Sequence, residues 1–116
     1  MKVKEGVILE GLKIEILEVM PLIDRICKSQ VNKEMTVTEG MDTIGRKKTS
    51  LHHLGYAIDI RIRDLTSWQI ADLTAIIVKS LKLISQYYDI VLESDHIHIE
   101  YDIYRRDSIE TSTQQI

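Results

Sequence analysis

Phenylalanine is absent from this chain of 116 residues, which holds one tryptophan, one proline and one cysteine. A core must therefore be built mainly from Ile, Leu and Val, and a platform of stacked rings for single-stranded nucleic acid is not expected. The lone Cys27 excludes an internal disulfide and a cysteine-only zinc site. Long apolar runs are missing too. Stretches such as Ala75-Ile76-Ile77-Val78 fall far short of the ~20 residues that span a bilayer, so no membrane partner is expected. Met1–Gly6 leads into no signal-peptide stretch, so export by the usual route is not expected. No long basic stripe appears: the net charge is −3, and Arg46-Lys47-Lys48 and Arg105-Arg106 are short. Nucleic-acid binding by bulk electrostatics is thereby disfavoured.

What remains is the composition of a globular domain. Hydrophobic residues make up 44%, too many for a disordered chain. The length suits a single domain, because two would leave neither half enough core. Leu12, Ile16, Val19, Met20, Ile23, Ile26 and Cys27 recur at helical spacing, and Pro21 must kink that helix or start a second one. Cys27 on this apolar face reads as a small buried hydrophobe. Val7-Ile8-Leu9 suggests a first strand or an extended lead. Strands are predicted near 35–38, 56–62, 88–93 and 96–101 from their period of two. Residues 41–50 read as a polar loop. Thr66 or Ser67 can cap a helix running to about Leu83, with Trp68, Ala71, Leu73, Ile76, Ile77, Leu81 and Ile84 as its apolar residues. The expected fold class is α+β, an antiparallel sheet covered by two helices, in one domain over 1–106 with 107–116 fraying.

All four histidines fall in two short segments, His52-His53 and His96-Ile97-His98. On a strand, His96, His98 and Glu100 share one face, and Ile97 and Ile99 point to the other. If Ser94-Asp95 is a two-residue turn, Glu93 lies opposite His96 and on its face. Gly55 permits close backbone approach, and Ala57 leaves room beside it. Asp59, flanked by Ile58 and Ile60, is a costly buried carboxylate unless it is paired, for instance with Arg61 or Arg63, or bound to a metal. Imidazole and carboxylate together suit zinc. The neighbour His53 is expected at the surface.

Ser50-x-His52-x-x-Gly55-x-Ala57-x-Asp59 followed by His96-x-His98 resembles the zinc peptidases of the D-alanyl-D-alanine carboxypeptidase and phage endolysin group. Their core is shared with the hedgehog signalling domain and lysostaphin-like relatives. Thr38-Glu39-Gly40, Ala57-Ile58-Asp59-Ile60-Arg61 and Val91-Leu92-Glu93-x-Asp95-His96-Ile97-His98-Ile99-Glu100-Tyr101-Asp102 resemble the small phage members, and the similarity runs from about Val7 to Asp102. It implies a hedgehog-like fold, Zn2+ held by His52, Asp59 and His98, and hydrolysis of a peptidoglycan peptide at a D-alanine-containing or mixed L/D junction. His96 would stand beside the metal to stabilise an oxyanion or move a proton. For the general base, relatives with a carboxylate three residues before the last ligand point to Asp95, which is placed first. The hairpin argument favours Glu93. A phage-type enzyme lacking a signal peptide would stay in the cytoplasm of the infected host until lysis.

The chain departs from that pattern in places. Many enzymatic relatives carry an arginine soon after the glycine matched by Gly40, where this chain reads Met41-Asp42-Thr43. Arg46 is the candidate substitute, at a place where small phage relatives often have a histidine. No appended wall-binding domain is expected. These departures support an alternative: a non-catalytic zinc-binding or protein-interaction module that keeps the fold.

Overall fold

In the computed structural model, which describes residues 1–42 and 50–114, the two clearest period-two segments become neighbouring central strands. They are β3 (Ala57–Arg61) and β5 (His96–Tyr101), antiparallel, with Asp59 opposite His98 and Ile58 opposite Ile99. Outside them lie β2 (Thr36–Glu39), with β1 (Lys2–Val3) beyond it, and β4 (Tyr88–Leu92), giving the order β1-β2-β3-β5-β4. The class is α+β as expected, but the sheet is mixed, because β1 runs parallel to β2. The chain between β1 and β2 passes through two helices, and a crossover of that length permits parallel pairing.

Those helices are α1 (Ile14–Leu17) and α2 (Met20–Val31). Pro21 sits in the first turn of α2, where its missing N–H has no partner to lose, so it starts a helix rather than kinking one. Asn32, at φ 55° in the left-handed region, ends α2. Of Val7-Ile8-Leu9, only Ile8 pairs, through a single bridge to Met41. A one-turn helix, α3 (Leu51–Leu54), precedes β3, and α4 (Ser67–Ile84) follows it. Thr66 caps α4 reciprocally: its hydroxyl accepts from Gln69 N at 3.2 Å, and its own N–H donates to Gln69 Oε1 at 2.9 Å.

Helices α2 and α4 cover one face of the sheet. Ile16, Ile23, Cys27, Leu73, Ile77 and Leu81 pack there against Val37, Ile58, Ile60, Ile97 and Ile99. Burial pushes the Cys27 thiol up to about 11, which suits a packing residue rather than a nucleophile. All the apolar residues expected from Leu12 to Cys27 are buried. In α4 the expectation was too broad. Leu73, Ile77 and Leu81 form the buried stripe, while Trp68 is 82% exposed. Five residues from Leu73, Trp68 lies about 140° round the helix from it. Ile84, past the last buried turn, is also exposed.

Asp102 Oδ1 accepts from Arg105 N at 3.0 Å and so starts α5 (Ile103–Gln114), which runs through residues read as fraying. Among the described residues, no helix is long and apolar enough to cross a membrane.

Candidate metal centre

With Ile58, Ile60, Ile97 and Ile99 committed to the helices, alternation sends Asp59, His96, His98 and Glu100 to the opposite face. There the sheet forms an open cleft of about 430 Å³ lined by Glu39, His52, Asp59, Val91, Glu93, His96, His98 and Glu100.

His52 reaches this face from α3, which is fastened to the segment before it. His52 Nδ1 lies 2.9 Å from the Gly40 carbonyl, Asp42 N donates to the His52 carbonyl at 3.3 Å, and His53 Nδ1 lies 3.0 Å from the Asp42 carbonyl. His53 thus braces the turn and does not line the cleft. Two glycines make the docking possible. A Cβ at Gly40 would run into the Ile8 carbonyl oxygen. At Gly55, with φ at +85°, a Cβ would stand 2.5 Å from the Gly11 carbonyl oxygen.

The donor atoms converge. His52 is 2% exposed and Asp59 5%. One ligand atom from each of His52, Asp59 and His98 lies within 4.8 Å of the others, so this group could hold a metal ion. Because a carbonyl oxygen only accepts, His52 Nδ1 carries the proton and Nε2 presents a bare lone pair. That Nε2 is buried without a hydrogen-bond partner, 3.2 Å from Asp59 Oδ1. Two acceptors facing one another at that distance repel unless a cation lies between them. The orphaned nitrogen is therefore the observation that a metal fits.

His98 shows the same logic on its other side. Its Nδ1 is 2.8 Å from Asp59 Oδ1, and its Nε2 is 3.0 Å from Glu100 Oε1. Burial opposes charge on this ring, but the Asp59 and Glu100 carboxylates outweigh it and hold the His98 pKa up to about 9. In the metal-free protein a proton on Nδ1 thus does part of a cation's work. With a metal bound, Nε2–H would remain on Glu100, fixing the ring's orientation. Burial alone would raise the Asp59 carboxyl, but the hydrogen bond and positive charge of His98 Nδ1 beside it keep it well below the usual carboxylate range. It is paired with His98, not with Arg61 or Arg63.

The remaining expected residues divide between the cleft and its rim. His96 Nε2 lies 3.4 Å from Asp59 Oδ2, and its Nδ1 is 2.6 Å from Asp95 Oδ1. The Asp95 side chain is 80% exposed and is not among the cleft residues. Glu93 is among them, and the expected two-residue turn is present: Glu93 N donates to the His96 carbonyl at 2.9 Å. Arg46 lies outside the described residues. Two cleft carboxylates were not assigned a role from sequence. Glu100 was legible by parity with His98. Glu39 was not, because its pairing with Asp59 follows an irregularity in the β2–β3 register. Comparison with protein-family models, with curated proteins and with solved structures finds no match to this chain.

Proposed function

We propose that the chain is a zinc-dependent peptidase of the D-alanyl-D-alanine carboxypeptidase and phage endolysin type, cleaving a D-alanine-containing or mixed L/D bond in peptidoglycan peptides. The observation that carries this reading is the bare, buried Nε2 of His52 aimed at Asp59 beside His98. The motif resemblance supplies the substrate class.

His52 Nε2, an Asp59 oxygen and His98 Nδ1 would hold the zinc, three protein ligands in a cleft open to solvent. Bound zinc supplies Lewis acidity and brings the pKa of a coordinated water to ~7. Around that position the chain's own groups divide the work. Glu93, on the cleft wall, is placed to take a proton from an attacking water and to return it to the leaving amine. His96 presents Nε2 to the cleft and, when that nitrogen is protonated, donates toward a developing oxyanion. Asp95, held against His96 Nδ1, fixes that ring. Glu100 orients His98.

The direct test incubates zinc-loaded protein with purified peptidoglycan fragments and follows cleavage by mass spectrometry, with His98→Ala as control. The expected result is a new amine terminus at a D-alanine or L/D junction, absent with the variant. Zinc bound stoichiometrically without cleavage would instead favour the non-catalytic module.

A further inference from the structure

We propose that the chain has a second ligand site, separate from the metal cleft, that binds a small monocarboxylate with a compact apolar body. The site is a cavity of about 400 Å³ at one end of the sheet, a size typical of small-molecule pockets. It opens where the connection from α2 to β2 meets the connection from β3 to α4. Lys33 Nζ, donating to the Asp64 carbonyl at 2.9 Å, ties those two connections together. None of its lining residues is shared with the metal cleft. The inference therefore stands whether or not the cleft is a peptidase site.

The cavity has two chemically distinct parts. Cys27, Val31, Met35 and Leu73 are buried core residues, yet each also borders this cavity and gives it an apolar floor. Lys2, Lys33 and Arg61 add positive charge. The two carboxylates in the lining are engaged elsewhere. Glu34 takes the Met1 amine at 2.7 Å and Lys2 at 4.0 Å, and Asp64 faces Arg63 at 4.0 Å. Lys33 meets a carbonyl rather than an acid. Arg61 is half-buried and makes no hydrogen bond or ion pair with any described residue.

A guanidinium held partly out of water, with its five N–H donors unused, loses hydration without return. A planar carboxylate fills that fork with two parallel bonds. A bare inorganic anion would answer the charge and leave the floor wet. A neutral apolar molecule would cover the floor and leave the guanidinium unpaired. A carboxylate carried on a compact apolar group satisfies both parts at once.

The test titrates benzoate, its neutral isostere benzamide and inorganic phosphate into the full chain, metal-free and zinc-loaded. Binding is read by NMR from the Leu73 and Met35 methyl groups and the Arg61 Nε–H. Benzoate should shift all three saturably, and alike with and without zinc. Benzamide and phosphate should each bind at least ~10-fold more weakly. Arg61→Gln should weaken benzoate roughly 10- to 100-fold, the range for a charge-assisted pair, with partial retention by Arg61→Lys. Leu65→Trp, which puts a bulky ring on the half-buried cavity wall, should block benzoate while Arg61 is intact. A thermal melt confirms that each variant is folded. Equal binding of benzoate and benzamide, or of benzoate and phosphate, overturns the proposal. So does wild-type benzoate affinity in folded Arg61→Gln or Leu65→Trp, or no saturable shift up to about 10 mM. A response confined to the His96 and His98 rings, and seen only with zinc, would place the carboxylate on the metal and overturn it as well.

Discussion

Glu93 and His96 close the β4–β5 hairpin as a directly opposed pair, and both side chains border the same cleft. Asp95, between them in sequence, contacts His96 while its own side chain stands largely in solvent. If Glu93 is the base, Glu93→Gln should lower kcat by ~10²–10⁴-fold with zinc still bound. Asp95→Asn, which only loosens His96, should cost less. The reverse ranking on a verified substrate, with metal content measured for each variant, would return the base to Asp95.

Metal uptake depends on the three ligands unequally. Asp59→Asn removes the negative ligand and the carboxylate that accepts from His98 Nδ1. It should reduce zinc stoichiometry, measured by elemental analysis after dialysis against micromolar zinc, and lower the melting temperature of the metal-free chain as well. Unchanged zinc content would contradict the assignment.

Glu100 acts through His98 rather than on the metal. Glu100→Gln should weaken zinc affinity ~10–100-fold, as loss of an orienting partner does. The measurement is a competition titration with a chromophoric chelator. Glu100→Asp, with a shorter reach, should fall between.

The His98 pKa, held up to about 9 in the metal-free protein, carries a sign. A group raised from 6.5 stabilises the fold fully below pH 6.5, and that contribution is lost as pH rises through about 9. Asp59 acts in the opposite sense: its depressed pKa stabilises above the unfolded value of 3.8 and fades only in strong acid. Urea melts of metal-free protein should therefore show lower stability at pH 10 than at pH 6, and His98→Gln should flatten that difference. At pH 7, zinc binding should release a proton from His98, visible as acidification in weak buffer.

Trp68 offers a control outside the site. Because it is 82% exposed, Trp68→Ala should alter stability by no more than about 0.5 kcal/mol in a denaturant melt. A loss of several kcal/mol would place Trp68 in the core.

The parts legible in sequence were those with a long repeat or a distinctive residue. Ile58/Ile60 and Ile97/Ile99 announced strands by alternation, Pro21 a kink or a second helix start, Thr66 or Ser67 a cap, and Ser94-Asp95 a turn. The grouping of His52, Asp59 and His98 was implied by the family resemblance, and the structure brings the three together. The missed elements had too little pattern. Lys2–Val3 is two residues long and Leu51–Leu54 a single turn, so neither repeats its period. Over Ile103–Gln114 the residues are mostly polar and carry no apolar stripe. Glu39 was hidden because a register irregularity decides which β2 residue meets Asp59. Exposure of Trp68 depends on where the buried stripe of α4 runs, which only packing reveals.

Asp59 and His98 are partners in the β3–β5 register, although 39 positions separate them in the chain. Sliding either strand by one residue would exchange Asp59 for an isoleucine, or His98 for Ile97 or Ile99, on the cleft face. A cation held by the pair would therefore distinguish the native alignment from its slipped competitors. Zinc present during refolding would then act as a proofreader of strand pairing, rewarding only chains whose central strands have met in the right frame.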